Sequence, residues 1–146
     1  MKIDKVRMNR YMMEIVQNSS DLKNLIMDNQ LKPGTIPLKA AKYILIELAE
    51  ATANSLQHIL AKCKGMPVSG YIDTIVKGHE TGIISERLFH RLKPFMDFRN
   101  SLVHRYWKVD DNLLINNILK GHKGFFEFVE EIEKYLEKID EEKNIP

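Results

Sequence analysis

Apolar residues recur at three- and four-residue intervals along almost the whole chain, the spacing of one face of an α-helix. Residues from about Asp4 to Met27 read as a first helix, with Val6, Met13, Val16, Leu25 and Ile26 as its apolar side. Asn18-Ser19-Ser20-Asp21 weakens its middle and predicts a kink or break there. Pro33-Gly34 is turn chemistry and ends the region. Thr35-Ile36-Pro37 opens a second helix to about Lys64, striped by Ala41, Ile44, Leu45, Leu48, Thr52, Leu56 and Ile59. Gly65-Met66-Pro67 stops it. Ser69 reads as the N-cap of a short helix from about Gly70 to His79, which Gly82 breaks. Ser85 then caps a long pattern carried by Leu88, Leu92, Phe95, Met96, Leu102 and Val103 as far as Tyr106. Pro94 lies inside it and predicts a kink or a lost hydrogen bond. Asp110-Asp111-Asn112 caps a short helix through about Leu119. Phe125, Phe128, Val129, Ile132, Tyr135, Leu136 and Ile139 mark the cleanest amphipathic helix, and the tail from Asp140 is charged.

No segment alternates with the period of a half-buried strand next to hairpin turn signals, and no internal repeat is present. Four or five helices with short links, each apolar on one side, predict an all-α antiparallel bundle. The 146 residues suit a single domain spanning 1–146. The stripe on the Ser85–Tyr106 helix is wide enough for both a core contact and a dimer face. A homodimer is therefore expected.

Composition narrows the function classes. The net charge is +2, from 22 basic and 20 acidic residues, too near balance to imply nucleic acid unless the charge is local. Cys63 is the sole cysteine, so an internal disulfide and a cysteine-rich metal site are both ruled out. The charged start Met1-Lys2-Ile3-Asp4-Lys5 lacks the apolar run of a signal peptide, and no segment has the roughly 20 apolar residues of a membrane span. A cytoplasmic protein with no membrane partner is expected.

A metal-binding bundle would use carboxylates with Glu-x-x-His pairs. That pair is absent. Glu86 and His90 stand four apart without a second copy, and His58, His79 and His122 are scattered. No phosphate loop of the Walker or Rossmann kind and no nucleophile elbow is present. No metal and no cofactor is expected.

Chemistry gathers instead at Phe98-Arg99-Asn100-Ser101-Leu102-Val103-His104-Arg105-Tyr106-Trp107. At about 100° per residue, Arg99 falls within the apolar stripe, as does Tyr106. A guanidinium there needs a partner, since an unpaired buried charge is costly. Glu47 and Glu50 lie off the stripe of the second helix. Their ordinary role is a solvated face, and one of them is a candidate partner for Arg99. The other face of the motif helix reads Asp97, Asn100, Ser101 and His104, and Asn100 and His104 are close enough in register to touch. Histidine can take or give a proton near neutral pH, and a fixed arginine can neutralise charge growing on phosphate oxygens. Those are the groups that metal-free RNA cleavage needs. One chain offers one such histidine; two chains of a symmetric dimer offer an acid and a base. Arg99 and His104 point about 140° apart on an ideal helix. Either the helix is distorted near its end, or the arginine and the histidine of one site come from different protomers.

Arg99, four residues, His104, one residue, Tyr106 form an RX4HXY motif. The whole phrase resembles the signature of the HEPN superfamily, and its trailing Tyr and Trp resemble the HepT-type toxins within it. Ser69-Gly70-Tyr71-Ile72-Asp73, Gly82-Ile83-Ile84 and Val109-Asp110 are similar to that subgroup in order and spacing. The resemblance implies an all-α dimer with two motifs in one cleft and with Arg99, His104 and Asn100 as its catalytic set. It implies a metal-independent endoribonuclease toxin, neutralised by a minimal nucleotidyltransferase antitoxin that adenylylates Tyr106. The alternative is a non-catalytic HEPN protein that binds such a nucleotidyltransferase; an unrelated helical scaffold is the third reading.

Overall fold

The computed structural model describes residues 2–104 and 109–143. Its helices are α1 (Lys5–Met27), α2 (Ile36–Lys64), α3 (Gly70–Glu80), α4 (Glu86–His104), α5 (Asp111–Gly121) and α6 (Gly124–Lys143). The described residues hold six helices rather than four or five, because both short segments, α3 and α5, form helices of their own.

Capping side chains set where several helices begin. The Asp4 carboxylate accepts from the Arg7 N–H, Thr35 Oγ1 from Leu38, Ser85 Oγ from Leu88 and the Asp110 carboxylate from Leu113. Ser69 does stand at the N-cap of α3, but its hydroxyl makes no cap bond. Its backbone N–H donates instead to Asp73 Oδ2 at 2.8 Å. Gly65, at φ 59°, ends α2 in the left-handed conformation that glycine adopts without steric cost.

The centre of the bundle is α2, which packs against α1, α3, α4 and α6. Ala41, Leu45, Leu48, Thr52, Leu56 and Ile59 are buried as the stripe predicts, and Ala49, Ala51, Ala53 and Leu60 extend burial around the helix. From α6, Phe125, Phe128, Val129 and Ile132 fill the core, with Tyr135 and Leu136 half-buried against it. Glu131 of α6 accepts from both the backbone N–H and the hydroxyl of Ser85, at 2.6 and 2.8 Å, and so fixes the start of α4. Pro94 sits inside an unbroken α4. The turn between α5 and α6 fits against α4 because Gly121 has no side chain: a Cβ there would lie 2.9 Å from the Phe95 ring.

In α1 the structure corrects the sequence reading twice. Its buried face is Met8, Met12, Ile15, Ser19 and Leu22. Val6 and Met13, assigned to the core, are 80% and 65% exposed. Met12–Met13 and Ile15–Val16 offer two apolar stripes one residue apart, and packing on α2 selects one of them. The helix also runs without a break through Asn18–Asp21. The polar groups there bond within the helix: Asn18 Nδ2 donates to the Glu14 carbonyl and Gln17 Nε2 to Asp21 Oδ1. Ser19 is small enough to be buried at the interface.

The start of α1 is tied to α2 by the Asp4 N–H, which donates to His58 Nε2 at 2.9 Å. That bond requires Nε2 to be unprotonated. Burial, then the charges of Arg7 and Lys62, push His58 below its ordinary value of 6.5, against a smaller pull from Asp4. Burial, then Lys123 and Lys23, lowers His122 likewise. The unfolded chain protonates both near 6.5, so below that pH it binds more protons than the folded chain. Stability therefore falls as pH drops from about 6.5 to the lowered folded values, and levels off beneath them. The acid-induced fall in urea midpoint between pH 7.5 and 5.5 is expected to shrink in His58→Gln, which has no imidazole to titrate. An equal fall in the variant and the wild type would refute this role for His58.

Candidate nucleic-acid cleavage site

The C-terminal end of α4 carries Arg99, Asn100 and His104. Leu92, Phe95, Met96 and Leu102 are buried and anchor this stretch of helix to the core. Arg99 points into the bundle, where its side chain is 18% exposed. Three groups from three elements surround its guanidinium. The Arg99 Cζ lies over the Tyr71 ring of α3, 4.0 Å from its centroid. Glu50 Oε1 of α2 is 3.6 Å from Nη2. Nη1 donates to Asn100 Oδ1 at 3.3 Å. The buried Nε has no hydrogen-bond partner among the described residues.

Of the two glutamates considered as partners for Arg99, Glu50 is thus the one that pairs with it. The ion pair is loose, since 3.6 Å is an attraction across which no good hydrogen bond forms. Asn100 and His104 are exposed, and His104 is the last residue of α4. Beside it, Val103 is 42% exposed and does not complete the core stripe to which the pattern assigned it. The helix remains α-helical through His104, so Arg99 and His104 diverge by about 140° around its axis. The structure therefore brings Arg99 and Asn100 together and leaves His104 facing solvent. Tyr106 and Trp107 lie outside the described residues.

Tyr71 is the residue that motif reasoning did not single out; it appeared only within the flanking phrase. The start of its helix is firmly fixed. Asp73 accepts from the Ser69 N–H and pairs with Lys77 at 3.1 Å, and Lys77 also donates to the Pro67 carbonyl. The Ser69 bond first, then Lys77, holds the Asp73 carboxyl below the usual carboxylate range. Gln57 of α2 donates to Thr74 Oγ1 across the α2–α3 interface.

Among the described residues no group of three or more His, Cys, Asp or Glu side chains is placed to hold a metal ion. No helix among them is long and apolar enough to cross a membrane. What the arrangement offers is a sheltered cation with donors that no described residue uses and an exposed imidazole on the same helix.

Residues 17–132 match the family model described as HepT-like, ribonuclease HepT-like. A curated protein of Archaeoglobus fulgidus named "Putative RNase" is 31% identical over 105 residues, which cover 72% of this chain and 79% of that protein. Among solved structures, the fold is similar to a tri-AMPylated HEPN toxin of Shewanella oneidensis in complex with MNT antitoxin. The TM-score is 0.79 at 16% identity, over 88% of this chain and 97% of that one. It is equally similar to YutE of Bacillus subtilis, a cytosolic protein of unknown function, at a TM-score of 0.79 and 18% identity over 93% and 92% of the two chains.

Proposed function

The chain belongs to the HepT-like ribonuclease family, and on that premise we propose that it is a metal-independent endoribonuclease toxin, active as a homodimer. The observation that carries this reading is Arg99, held by a ring and a carboxylate with donors unused among the described residues, five residues before an exposed His104.

In the proposed reaction, His104 of one protomer takes the proton of a ribose 2′-OH. The 2′-oxygen attacks the adjacent phosphorus, and the bond to the 5′-oxygen breaks. The same histidine of the second copy protonates that leaving oxygen, giving a 2′,3′-cyclic phosphate and a free 5′-OH. Arg99, with Asn100 beside it, neutralises charge on the non-bridging oxygens in the transition state. The divergence of Arg99 and His104 on one continuous helix favours a site shared between two chains, since neither chain alone turns both toward one phosphate. Val103, exposed next to His104, suits burial in such an interface.

The proposed partner is a minimal nucleotidyltransferase antitoxin that adenylylates Tyr106. The Shewanella oneidensis toxin, similar in fold, is itself AMPylated and bound to an MNT antitoxin.

The test is incubation of the purified protein with RNA in excess EDTA. Cleavage is expected. Intact RNA would leave the alternative, a HEPN protein that binds a nucleotidyltransferase without cutting RNA. Light scattering at micromolar concentration is expected to give twice the 17.0 kDa chain mass, and a monomer alone would remove the shared site.

A further inference from the structure

We propose that Tyr71, with Glu50, positions Arg99: the ring holds the guanidinium from one side and the carboxylate pins it there, leaving for an RNA phosphate the N–H groups that no described residue uses. This rests on the ribonuclease reading and adds to it two residues outside the motif.

The hydrogen-bond inventory of Arg99 supports the proposal. A guanidinium has five N–H donors. Here one of them bonds Asn100, the contact to Glu50 is too long to use another well, and Nε has no partner among the described residues. Sheltered polar groups ordinarily make their bonds within the protein. A side chain only 18% exposed, with so many donors unused among the described residues, is restrained by the ring and the carboxylate while those donors stay open. That is the state a phosphate-binding arginine needs before its anion arrives.

Each restraint does a different job. The Tyr71 ring restrains the guanidinium carbon from one side and leaves its N–H groups available, because a cation–π contact consumes none of them. Glu50 attracts the charge from a second direction while staying 44% exposed, so an incoming phosphate competes with a hydrated carboxylate rather than a buried one. Both residues sit on rigid supports. Glu50 belongs to the central helix α2, and Tyr71 to a helix start held by the Ser69, Asp73, Lys77 and Pro67 bonds. Without the ring, the long arginine side chain returns to several rotamers. A displacement of about 1 Å from the productive position costs on the order of a hundredfold in rate.

The test compares Tyr71→Phe with Tyr71→Leu in the full-length protein. Phe keeps the ring, and kcat on a short RNA is expected to stay within threefold of wild type. Leu removes the ring, and kcat is expected to fall about a hundredfold with KM within threefold, because Arg99 is misplaced rather than lost. A Tyr71→Leu kcat within threefold of wild type overturns the proposal, as does an equal loss in both variants. A purely structural role would instead lower the thermal midpoint and the active fraction together.

A second measurement needs neither activity nor the leucine variant to fold. The Arg99 Nε–Hε signal, assigned by its disappearance in Arg99→Lys, is expected to be shifted upfield by the ring beneath it in wild type and Tyr71→Phe. An unshifted signal overturns the proposal. The two levels separate cleanly. If Arg99→Ala cuts RNA normally, the ribonuclease assignment fails, whatever the ring does. If Arg99→Ala is inactive while Tyr71→Leu is fully active, only the positioning role fails.

Discussion

Alanine in place of His104 is expected to abolish RNA cleavage and leave the bundle standing. The loss follows from the number of proton transfers proposed for the imidazole. One general acid or base contributes about 10²–10⁴-fold. In a two-fold assembly each substitution is made twice, so base and acid disappear together, and the loss should reach or exceed the upper end of that range. The small effect on stability follows from position. His104 is exposed at the last residue of α4, so its removal opens no void, and surface changes of this kind usually stay within about 0.5 kcal/mol. Arg99→Ala is expected to be equally inactive and structurally less neutral, because it uncovers the Tyr71 ring and frees Glu50. Single-turnover cleavage of a labelled RNA in EDTA, with urea unfolding of the same preparations, measures both effects. A His104→Ala protein that cuts as fast as wild type would falsify the assignment.

Long, one-sided helices were readable from the sequence because burial on one face imposes a period, and α2 and α6 follow it closely. Periodicity was a poorer guide on α1, where Met12 and Met13 present equal hydrophobicity to two directions. Only the surfaces of α2 and α6 distinguish them, and those surfaces are created by residues more than 20 positions away. The predicted break at Asn18–Asp21 failed for a related reason. Propensity registers four polar residues but not the in-helix bonds that satisfy two of them or the interface that shelters Ser19.

At the site, the need of Arg99 for a partner was legible from its place in an apolar stripe, and Glu50 meets it. The Tyr71 contact was not legible by spacing, because α3 and α4 approach through tertiary packing and an aromatic residue in a short helix has no period of its own. Leu102 is buried, while Val103 and His104, about 100° and 200° further round the helix, turn away from the core. Among the described residues, that exposure leaves one chain with a histidine and no converging arginine, the physical ground for expecting a second copy.

Phenylalanine in place of Tyr106 is expected to abolish neutralisation by a nucleotidyltransferase while preserving the fold. Tyr106 lies outside the described residues; in the chain it stands two residues past His104 and seven past Arg99. In the proposed modification, its hydroxyl oxygen attacks the α-phosphorus of ATP, an O–P bond forms, pyrophosphate leaves and the phenolic proton is lost. The product carries a negative phosphodiester and a bulky base close in sequence to both members of the motif. The new anion competes with RNA phosphate for the open donors of Arg99, and the nucleoside obstructs the approach of the strand; added phosphate charge controls other sites by the same electrostatics. Selectivity for this tyrosine can be judged against the others. Tyr71 is covered by the Arg99 guanidinium, and Tyr11 and Tyr135 are half-buried against the core. Tyr43 is 62% exposed and is therefore the informative competitor. After co-expression with the nucleotidyltransferase, mass spectrometry is expected to find AMP on Tyr106, with cleavage lost in the modified fraction. Tyr106→Phe is expected to carry no AMP at that position and to remain toxic if its own cleavage survives the loss of the hydroxyl. AMP confined to Tyr11, Tyr43, Tyr71 or Tyr135, or present on no tyrosine while toxicity is still neutralised, would rule this mechanism out.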